Sequence, residues 1–280
     1  MKIWFHRYAL HPRRALSGIA APGPREGALI RVANGFADVH PWPELGDLPL
    51  DAQLARLARG ETTPLTWASL RLARSDGEAR ERGVSLFEGL TIPKSHWPGI
   101  EPPDGFDTVK LKSVDSLPSN VNLRIDFNAT LTPGEFLHVA RQLKGRRIDF
   151  VEDPCPYDPH IWRALKRETG LRLALDRGVS IDRAVDVLVH KPALQAHWPE
   201  FDGEIVVTSY MDHPVGQLGA AFVAASHDSS PRCGLFTHVL YEPDPFLERM
   251  RADGARLLPI GGTGVGFDDL LESLPWTRLT

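Results

Sequence analysis

The sequence predicts an α/β protein built around a parallel sheet, most economically a closed barrel, with a smaller α+β region before it. After Gly83, short apolar runs alternate with helical patterns about eight times. Such alternation is typical of parallel sheets and barrels. Ionisable residues also recur where the apolar runs end, and barrels of this kind place their active sites at the carboxyl ends of their strands.

The amino-terminal region has a different pattern from the rest of the chain. Its first residues, up to about residue 60, carry aromatic and β-branched residues in short alternations, which predict antiparallel strands. Two amphipathic helices follow, and Gly60 and Gly83 lie where those helices are expected to end.

Eight strands are predicted after this region, with helices between most of them. The predicted helices include "TPGEFLHVARQLKG", "DPHIWRALKRETG" and "GQLGAAFVAASHDS". The predicted strands are "GVSLFEGL", "DTVKLKSV", "VNLRIDF", "RIDFVEDP", "RLALDRG", "VDVLVHKP", "EIVVTSY" and "CGLFTH".

Composition excludes several classes of function. The 280 residues carry a net charge of −4, so the sequence lacks the excess of basic residues that is typical of nucleic-acid-binding proteins. Two cysteines are too few to crosslink a chain of this length, and no apolar run approaches the ~18 residues of a membrane span. We therefore expect a cytoplasmic protein without a membrane partner. Nothing in the sequence specifies an oligomeric state.

Charged side chains share one face of two predicted strands. Lys110 and Lys112 are two residues apart, and Arg124, Asp126 and Asn128 follow the same spacing. In a strand this period places each set on a single face. If that face is buried, its charges must pair or take part in chemistry, because unpaired buried charges are costly.

Three carboxylates follow three successive predicted strands. Asp126 and Glu152 are 26 residues apart, and Glu152 and Asp176 are 24 apart, which is about one strand and helix each time. Three carboxylates at one rim suit an oxygen-preferring dication, with Mg²⁺ the default and Mn²⁺ an alternative. Lys112 and Lys191 would face each other across that ion.

Each of these residues also has a simpler interpretation when it is taken alone. Lys110 is compatible with a solvated residue on an edge strand. Glu152 precedes an Asp-Pro turn sequence, and "DRG" after the third carboxylate also reads as a turn. Their occurrence together at consecutive strand ends favours an active site.

Five short motifs lie at the predicted strand ends, in the chain order "VKLK", "RIDFN", "FVEDP", "LALD" and "VHKP". Together they resemble the enolase superfamily, and most of all its o-succinylbenzoate synthase family. "GALIRVANGFADVHPWPELGD" further resembles the family's capping-domain hairpin. The third carboxylate departs from the family pattern, because Arg177 follows it where Glu-Ser is usual.

The resemblance implies a modified (β/α)7β TIM-like barrel with an α+β capping domain that both chain termini build. The expected limits are 1–82 for the amino-terminal part of the capping domain, 83–250 for the barrel and 251–280 for the return to the capping domain. It also implies that "RRALSGIAAPGPRE", residues 13–26, forms a lid over the site.

The resemblance further implies a metal-dependent syn-dehydration of 2-succinyl-6-hydroxy-2,4-cyclohexadiene-1-carboxylate, a small anionic substrate, to o-succinylbenzoate in menaquinone biosynthesis. Lys112 would be the base, because Lys110 and the metal disfavour its ammonium form, and Lys191 would stabilise the enediolate. The implied metal ligands are Asp126, Glu152 and Asp176. Implied supporting or substrate-binding residues are Lys110, Arg124, Asn128, Ser209 and Gly234, the last two through backbone amides.

Two other functions stay open at this point. An N-succinylamino acid racemase or dipeptide epimerase of the same superfamily would use the two opposed lysines as acid and base. A non-catalytic barrel that binds a ligand is the third hypothesis, and it ranks last because none of the five key positions is lost.

Overall fold

An antiparallel sheet and two helices form the amino-terminal part of the protein. The computed structural model describes residues 2–16, 20, 22–176 and 184–280. The sheet pairs its strands in the order β14-β1-β2-β3, so the last strand of the chain joins the first ones. Its strands are β1 (Ile3–Leu10), β2 (Arg25–Val32), β3 (Gly35–Val39) and β14 (Thr277–Arg278).

Helices α1 (Leu50–Ala58) and α2 (Pro64–Glu81) pack on this sheet. Thr63 caps α2, since its side chain accepts a hydrogen bond from the Thr66 N–H, and Pro64 occupies the first turn. Gly60 and Gly83 follow the two helices with positive φ angles of 77° and 69°. Both helix ends are therefore where the sequence predicted them.

Six parallel strands form the main sheet, in the order β10-β9-β8-β7-β6-β5. The short strands β4 (Lys94–Ser95) and β11 (Arg232–Cys233) complete the ring. They pair with each other, and the bridges Trp97↔Val109 and Thr208↔Gly234 join them to the two edges. The result is the predicted closed barrel of eight parallel strands. The six strands are β5 (Thr108–Leu111), β6 (Asn122–Asp126), β7 (Ile148–Glu152), β8 (Leu173–Asp176), β9 (Val187–His190) and β10 (Glu204–Val207).

The prediction of the first barrel strand was wrong. Residues 83–90 form turns with one isolated bridge, Ser85↔Gly264, and the first barrel strand is β4 instead. The Leu86 N–H donates to the Gly264 carbonyl, which ties this segment to the carboxyl-terminal part of the chain. Its apolar residues Leu86 and Phe87 are buried in that contact, so their pattern reflects burial without a strand.

Fewer helices than predicted surround the barrel. Within the described residues, the connections 96–107, 112–121 and 191–203 contain no α-helix. These stretches are short, and proline and serine interrupt them, so a helix of ordinary length does not fit. The helices that do form on barrel connections are α3 (Pro133–Gln142), α4 (Pro159–Thr169) and α5 (Pro214–Ser226).

The carboxyl-terminal residues connect the barrel to the amino-terminal sheet. Strands β12 (Arg251–Asp253) and β13 (Arg256–Leu258) form a hairpin beside β4, and α6 (Asp268–Ser273) precedes β14. The domain limits at residues 82/83 and 250/251 remain a prediction. Within the part of the chain that is described, no helix has the length and apolar character that a membrane crossing requires.

Two buried carboxyl groups meet where the capping sheet rests on the barrel. Asp38 lies in β3 and accepts hydrogen bonds from the Tyr8 hydroxyl at 2.7 Å and the His213 N–H at 3.1 Å. A Cβ atom at Gly216 would lie 2.6 Å from Asp212 Oδ2 and 2.7 Å from Asp38 Oδ2, so both oxygens border the same small space. Burial raises the pKa of Asp212 to about 7, and burial together with Asp212 raises that of Asp38.

Asp212→Asn is expected to make the protein more stable at pH 8 and to change little at pH 4. The unfolded carboxyl titrates near 3.8 and the folded one near 7, so wild-type stability falls as the pH rises between these values. The gain at pH 8 should be about 2–4 kcal/mol. Urea unfolding at both pH values measures it, with the exposed Asp228→Asn as control. An equal gain at both pH values would contradict the prediction.

Candidate active site

Five of the predicted site residues lie at the carboxyl ends of five consecutive barrel strands. Asp126, Glu152 and Asp176 are the last residues of β6, β7 and β8. Lys112 and Lys191 come directly after β5 and β9. Asp126 and Glu152 are direct neighbours in the parallel register of β6 and β7, because each is the last residue of its strand.

Lys110 lies between two of the three carboxylates. Its Nζ contacts both oxygens of Glu152, at 2.7 and 2.6 Å, and Asp126 Oδ2 at 3.1 Å. The Glu152 side chain is only 2% exposed. A buried carboxylate with so little water needs a cation beside it, and the Lys110 ammonium supplies that charge.

The other two lysines also pair with carboxylates of the site. Lys112 forms an ion pair with Asp126, and Lys191 forms one with Asp176. The second oxygen of Asp176, Oδ1, is buried, and within the described residues it has no hydrogen-bond partner. Lys112 is the most exposed of the three lysines, with 43% of its side chain accessible to solvent.

Burial and the neighbouring charges shift the pKa values of these groups in opposite directions. Burial alone would favour the neutral amine of Lys110, but Asp126 and Glu152 outweigh it and raise the Lys110 pKa. Burial also opposes ionisation of Asp126, yet Lys110 and Lys112 bring the pKa of that carboxyl well below its usual range. Burial, together with the charge of Asp126, raises the pKa of Glu152.

The three carboxylates suit a divalent metal ion in chemistry, although lysine ammonium groups contact them in this structure. Among the described residues, no three His, Cys, Asp or Glu side chains are arranged to hold a metal ion. The donors are nevertheless three carboxylates on adjacent strand ends, which is the oxygen-rich set that Mg²⁺ prefers. The unpartnered Oδ1 of Asp176 leaves one ligand atom available.

A cavity of about 490 Å³ opens above these strand ends. This volume is within the range of sites that bind small organic molecules. Arg124 and Glu152 lie below it and do not line it. The predicted site residues that do line it are Lys110, Lys112, Asn128, Asp126, Asp176, Lys191, Ser209 and Gly234.

Arg124 lies below the cavity, and Asn128 lines it. Arg124 is 1% exposed inside the barrel, where its guanidinium lies 4.6 Å from the Phe150 ring centroid and donates to Asp149 at 2.8 Å. Asn128 acts through its backbone, whose N–H donates to Asp126 Oδ1 at 2.9 Å. Its φ of 49° is a conformation that Asn tolerates better than most residues.

Ser209 and Gly234 line the cavity, but their backbone amides are already used. The Ser209 N–H donates to the Gly234 carbonyl at 3.1 Å, and the Gly234 N–H donates to Val207 at 2.8 Å. Both bonds join the seventh and eighth barrel strands, β10 and β11. The expectation that these amides bind the substrate is therefore wrong, and Ser209 offers its hydroxyl instead, which pairs with Thr237 Oγ1 at 2.7 Å.

The expected lid segment borders the same cavity. Arg14, Ala15 and Leu16 line it, and the Arg13 side chain donates to the Tyr241 carbonyl at 2.6 Å. Residues 17–19 and 21 of this segment lie outside the described residues, as does Arg177.

Sequence reasoning missed two cavity residues, His96 and Asp153. Asp153 follows Glu152 with a positive φ of 43° and accepts a hydrogen bond from the Asp176 N–H at 3.2 Å. Burial, Asp176 and Glu152 raise the pKa of Asp153 well above its usual range. The "EDP" motif signalled Asp153. No pattern signalled His96, since the first strand had been placed before it.

Comparison with known proteins places the chain in a family. Residues 3–79 match the family model for the N-terminal domain of o-succinylbenzoate synthase. An o-succinylbenzoate synthase from Bdellovibrio bacteriovorus is 36% identical over 328 aligned positions, covering 100% of this chain and 99% of that protein.

Solved structures of low sequence identity share the fold. The L-Ala-D/L-Glu epimerase of Bacillus subtilis superposes with a TM-score of 0.73 at 17% identity, covering 95% of this chain and 98% of that one. A dipeptide epimerase from Cytophaga hutchinsonii, complexed with Mg and a dipeptide, gives 0.74 at 14%, covering 100% and 99%. The muconate lactonizing enzyme of Pseudomonas fluorescens gives 0.74 at 14%, covering 94% and 95%. With its full-length relative and its amino-terminal match, the chain belongs to the o-succinylbenzoate synthase family.

Proposed function

We propose that the protein dehydrates 2-succinyl-6-hydroxy-2,4-cyclohexadiene-1-carboxylate to o-succinylbenzoate, a step of menaquinone biosynthesis, with the help of a divalent metal ion. The observation that carries the proposal is the row of three carboxylates, flanked by a lysine on each side, at the carboxyl ends of β5 to β9. Membership of the synthase family supports the substrate.

Asp126, Glu152 and Asp176 are the proposed ligands of Mg²⁺, with Mn²⁺ as an alternative. The superfamily relatives that were solved with Mg and a dipeptide support this assignment. When bound, the metal ion would stabilise negative charge on the ring carboxylate of the substrate more strongly as that charge grows during the reaction.

Lys112 is the proposed base. It lines the cavity and is the most exposed of the three site lysines, whereas Lys110 lies deeper between Glu152 and Asp126. Its neutral amine takes the proton from the carbon that bears the ring carboxylate, and the electron pair of that C–H bond moves into the carboxylate to give an enediolate. The electron pair then forms the ring double bond while the C–O bond breaks. The Lys112 ammonium returns the proton to the departing hydroxide, so that water leaves.

Lys191 is proposed to act from the opposite side of the substrate without moving a proton. It comes after β9, four strands from Lys112, and both side chains line the cavity. Its ammonium group would stabilise the enediolate and the ring electrostatically. The same placement also suits a second acid or base, which is why racemisation or epimerisation is the alternative function.

The end of the eighth strand, β11, favours the synthase over a dipeptide epimerase. Gly234 and Thr237 line the cavity there, and no carboxylate accompanies them between residues 234 and 238. Asp244 caps the Phe246 and Leu247 N–H groups and does not line the cavity. A dipeptide whose ammonium group entered this end of the cavity would lose the hydration of that group without gaining a carboxylate partner.

The experiment that tests the proposal follows the absorbance of the aromatic product after the cyclohexadiene substrate and Mg²⁺ are added. Dehydration that depends on both enzyme and metal supports it. A flat trace with folded, metal-loaded enzyme would contradict it.

Replacing a proposed metal ligand should weaken metal binding and abolish turnover while the fold persists. Asp126→Ala, Glu152→Ala and Asp176→Ala each remove one oxygen donor set, so Mg²⁺ affinity measured by calorimetry should fall at least about tenfold. Asp107→Asn is the matched control, because Asp107 pairs with Arg232 at the other end of the barrel. Unchanged Mg²⁺ affinity in all three alanine variants would contradict the assignment of these residues as metal ligands.

Lys112→Ala should lower kcat by about 10²–10⁴-fold, which is the usual contribution of a positioned general base. Lys112→Arg should fail as well, since a guanidinium stays protonated. Steady-state kinetics measures both variants, and Lys166→Ala is the control, because Lys166 pairs with Asp186 away from the cavity. Substantial turnover by either Lys112 variant would assign the base elsewhere, with Lys110 as the first residue to test.

Dipeptides should not be epimerised at a detectable rate, because the eighth strand offers no partner for their ammonium group. Exchange of the α-proton in D₂O, followed by NMR over a dipeptide panel, measures this directly. N-succinylamino acids belong in the same panel, since they share the succinyl group, and weak racemisation of these agrees with the proposal. Exchange of dipeptides together with an inactive dehydration assay would favour the epimerase.

A further inference from the structure

His96 forms part of the cavity wall between the first and eighth barrel strands. It directly follows β4, and its backbone N–H donates to the Cys233 carbonyl of β11 at 2.9 Å. The side chain lines the cavity although the residue is only 6% exposed. A buried polar side chain that borders a binding cavity needs a hydrogen-bond partner.

Arg124 determines which ring nitrogen of His96 carries hydrogen. Arg124 Nη1 lies 3.1 Å from His96 Nδ1, and a guanidinium group can only donate. Nδ1 must therefore accept, which places the hydrogen on Nε2. Burial, together with the charges of Arg124 and Lys110, keeps the pKa of His96 well below its usual range, in agreement with a neutral ring.

Arg124 is itself held firmly inside the barrel. Its Nε donates to Asp149 at 2.8 Å, and its Nη1 also donates to the Arg232 carbonyl at 2.8 Å. The direction of the His96 ring is thus fixed from below by a residue that never reaches the cavity.

The hydrogen-bearing edge of His96 borders the end of the eighth strand. A Cβ atom at Gly234 would lie 2.7 Å from His96 Cε1 and 3.1 Å from Nε2, so glycine is needed there to leave room for the ring. Within the described part of the chain, Nε2 has no hydrogen-bond partner. The amides of Ser209 and Gly234 are used inside the sheet, which leaves Nε2–H as a free donor in this corner.

We propose that His96 Nε2–H donates a hydrogen bond to the carboxylate at the end of the substrate's succinyl side chain, and that Arg124 positions it. This assignment rests on the proposed function. The ring carboxylate belongs with Lys112, Lys191 and the three acidic residues on the strands from β5 to β9. The corner beside Gly234 is therefore left for the second anionic group of the same substrate.

A thermodynamic cycle distinguishes this hydrogen bond from a packing role of His96. It compares the affinities of two ligands for the wild-type protein and for His96→Leu. One ligand is the product, o-succinylbenzoate, and the other is 2-butanoylbenzoate, which has a methyl group in place of the tail carboxylate. His96→Leu should weaken binding of o-succinylbenzoate about tenfold to hundredfold, as expected for a lost hydrogen bond to a charged group. It should change binding of 2-butanoylbenzoate less than about twofold. Calorimetry with saturating Mg²⁺ measures all four affinities.

Two further variants complete the design. His96→Gln keeps an acceptor for Arg124 and a donor for the ligand, so it should retain much of the affinity for o-succinylbenzoate. His138→Leu on the exposed face of α3 is the control for replacing a histidine, and urea unfolding checks that each variant is folded.

Equal loss of affinity for both ligands in His96→Leu, or no loss for either, would overturn the proposal. If the wild-type protein dehydrates the cyclohexadiene while the cycle shows no coupling, only the His96 assignment is wrong. If the wild-type protein neither binds o-succinylbenzoate nor dehydrates the substrate, the proposed function falls and the His96 assignment falls with it.

Discussion

The Lys110 ammonium between Glu152 and Asp126 is the interaction on which the barrel mouth depends. Two carboxylates on neighbouring strands, both almost fully buried, repel each other unless a cation lies between them. Lys110 can fill this place only because β5, β6 and β7 pair in a register that brings their ends to one level. A shift of one residue in any of these strands would turn the charges out of the barrel interior.

The strand period of two made the charged face of the barrel predictable from the sequence. The position of the first strand was not predictable in this way. Lys110 with Lys112, and Arg124 with Asp126, alternate with apolar neighbours, so their common face followed from the strand period of two. The first strand was misplaced because Leu86 and Phe87 are buried without pairing as a strand, while β4 has only two residues and almost no apolar signal. His96 was missed for the same reason. The use of the Ser209 and Gly234 amides inside the sheet depends on how β11 pairs with β10, which no single stretch of sequence encodes.

Residues of the amino-terminal region help to enclose the site at the mouth of the barrel. Leu16 and Leu45 from the amino-terminal region line the cavity, and the Trp42 indole donates to the Tyr210 carbonyl at 2.8 Å beside it. The cap is thus fixed to the barrel by hydrogen bonds near the cavity that it encloses.

A neutral donor at His96 fits the charge balance of the cavity better than another cation would. Lys110 and Lys191 already bring two positive charges to the mouth of the barrel, and Arg124 adds a third below it. A further ammonium or imidazolium group would be repelled by these charges and would lose its hydration on burial. A neutral imidazole with one fixed N–H still gives a directional contact to an anion, because hydrogen bonds to charged groups are stronger than those between neutral groups. Arg124 thus contributes without touching the ligand, since its charge disfavours the imidazolium and its Nη1 fixes the tautomer of His96.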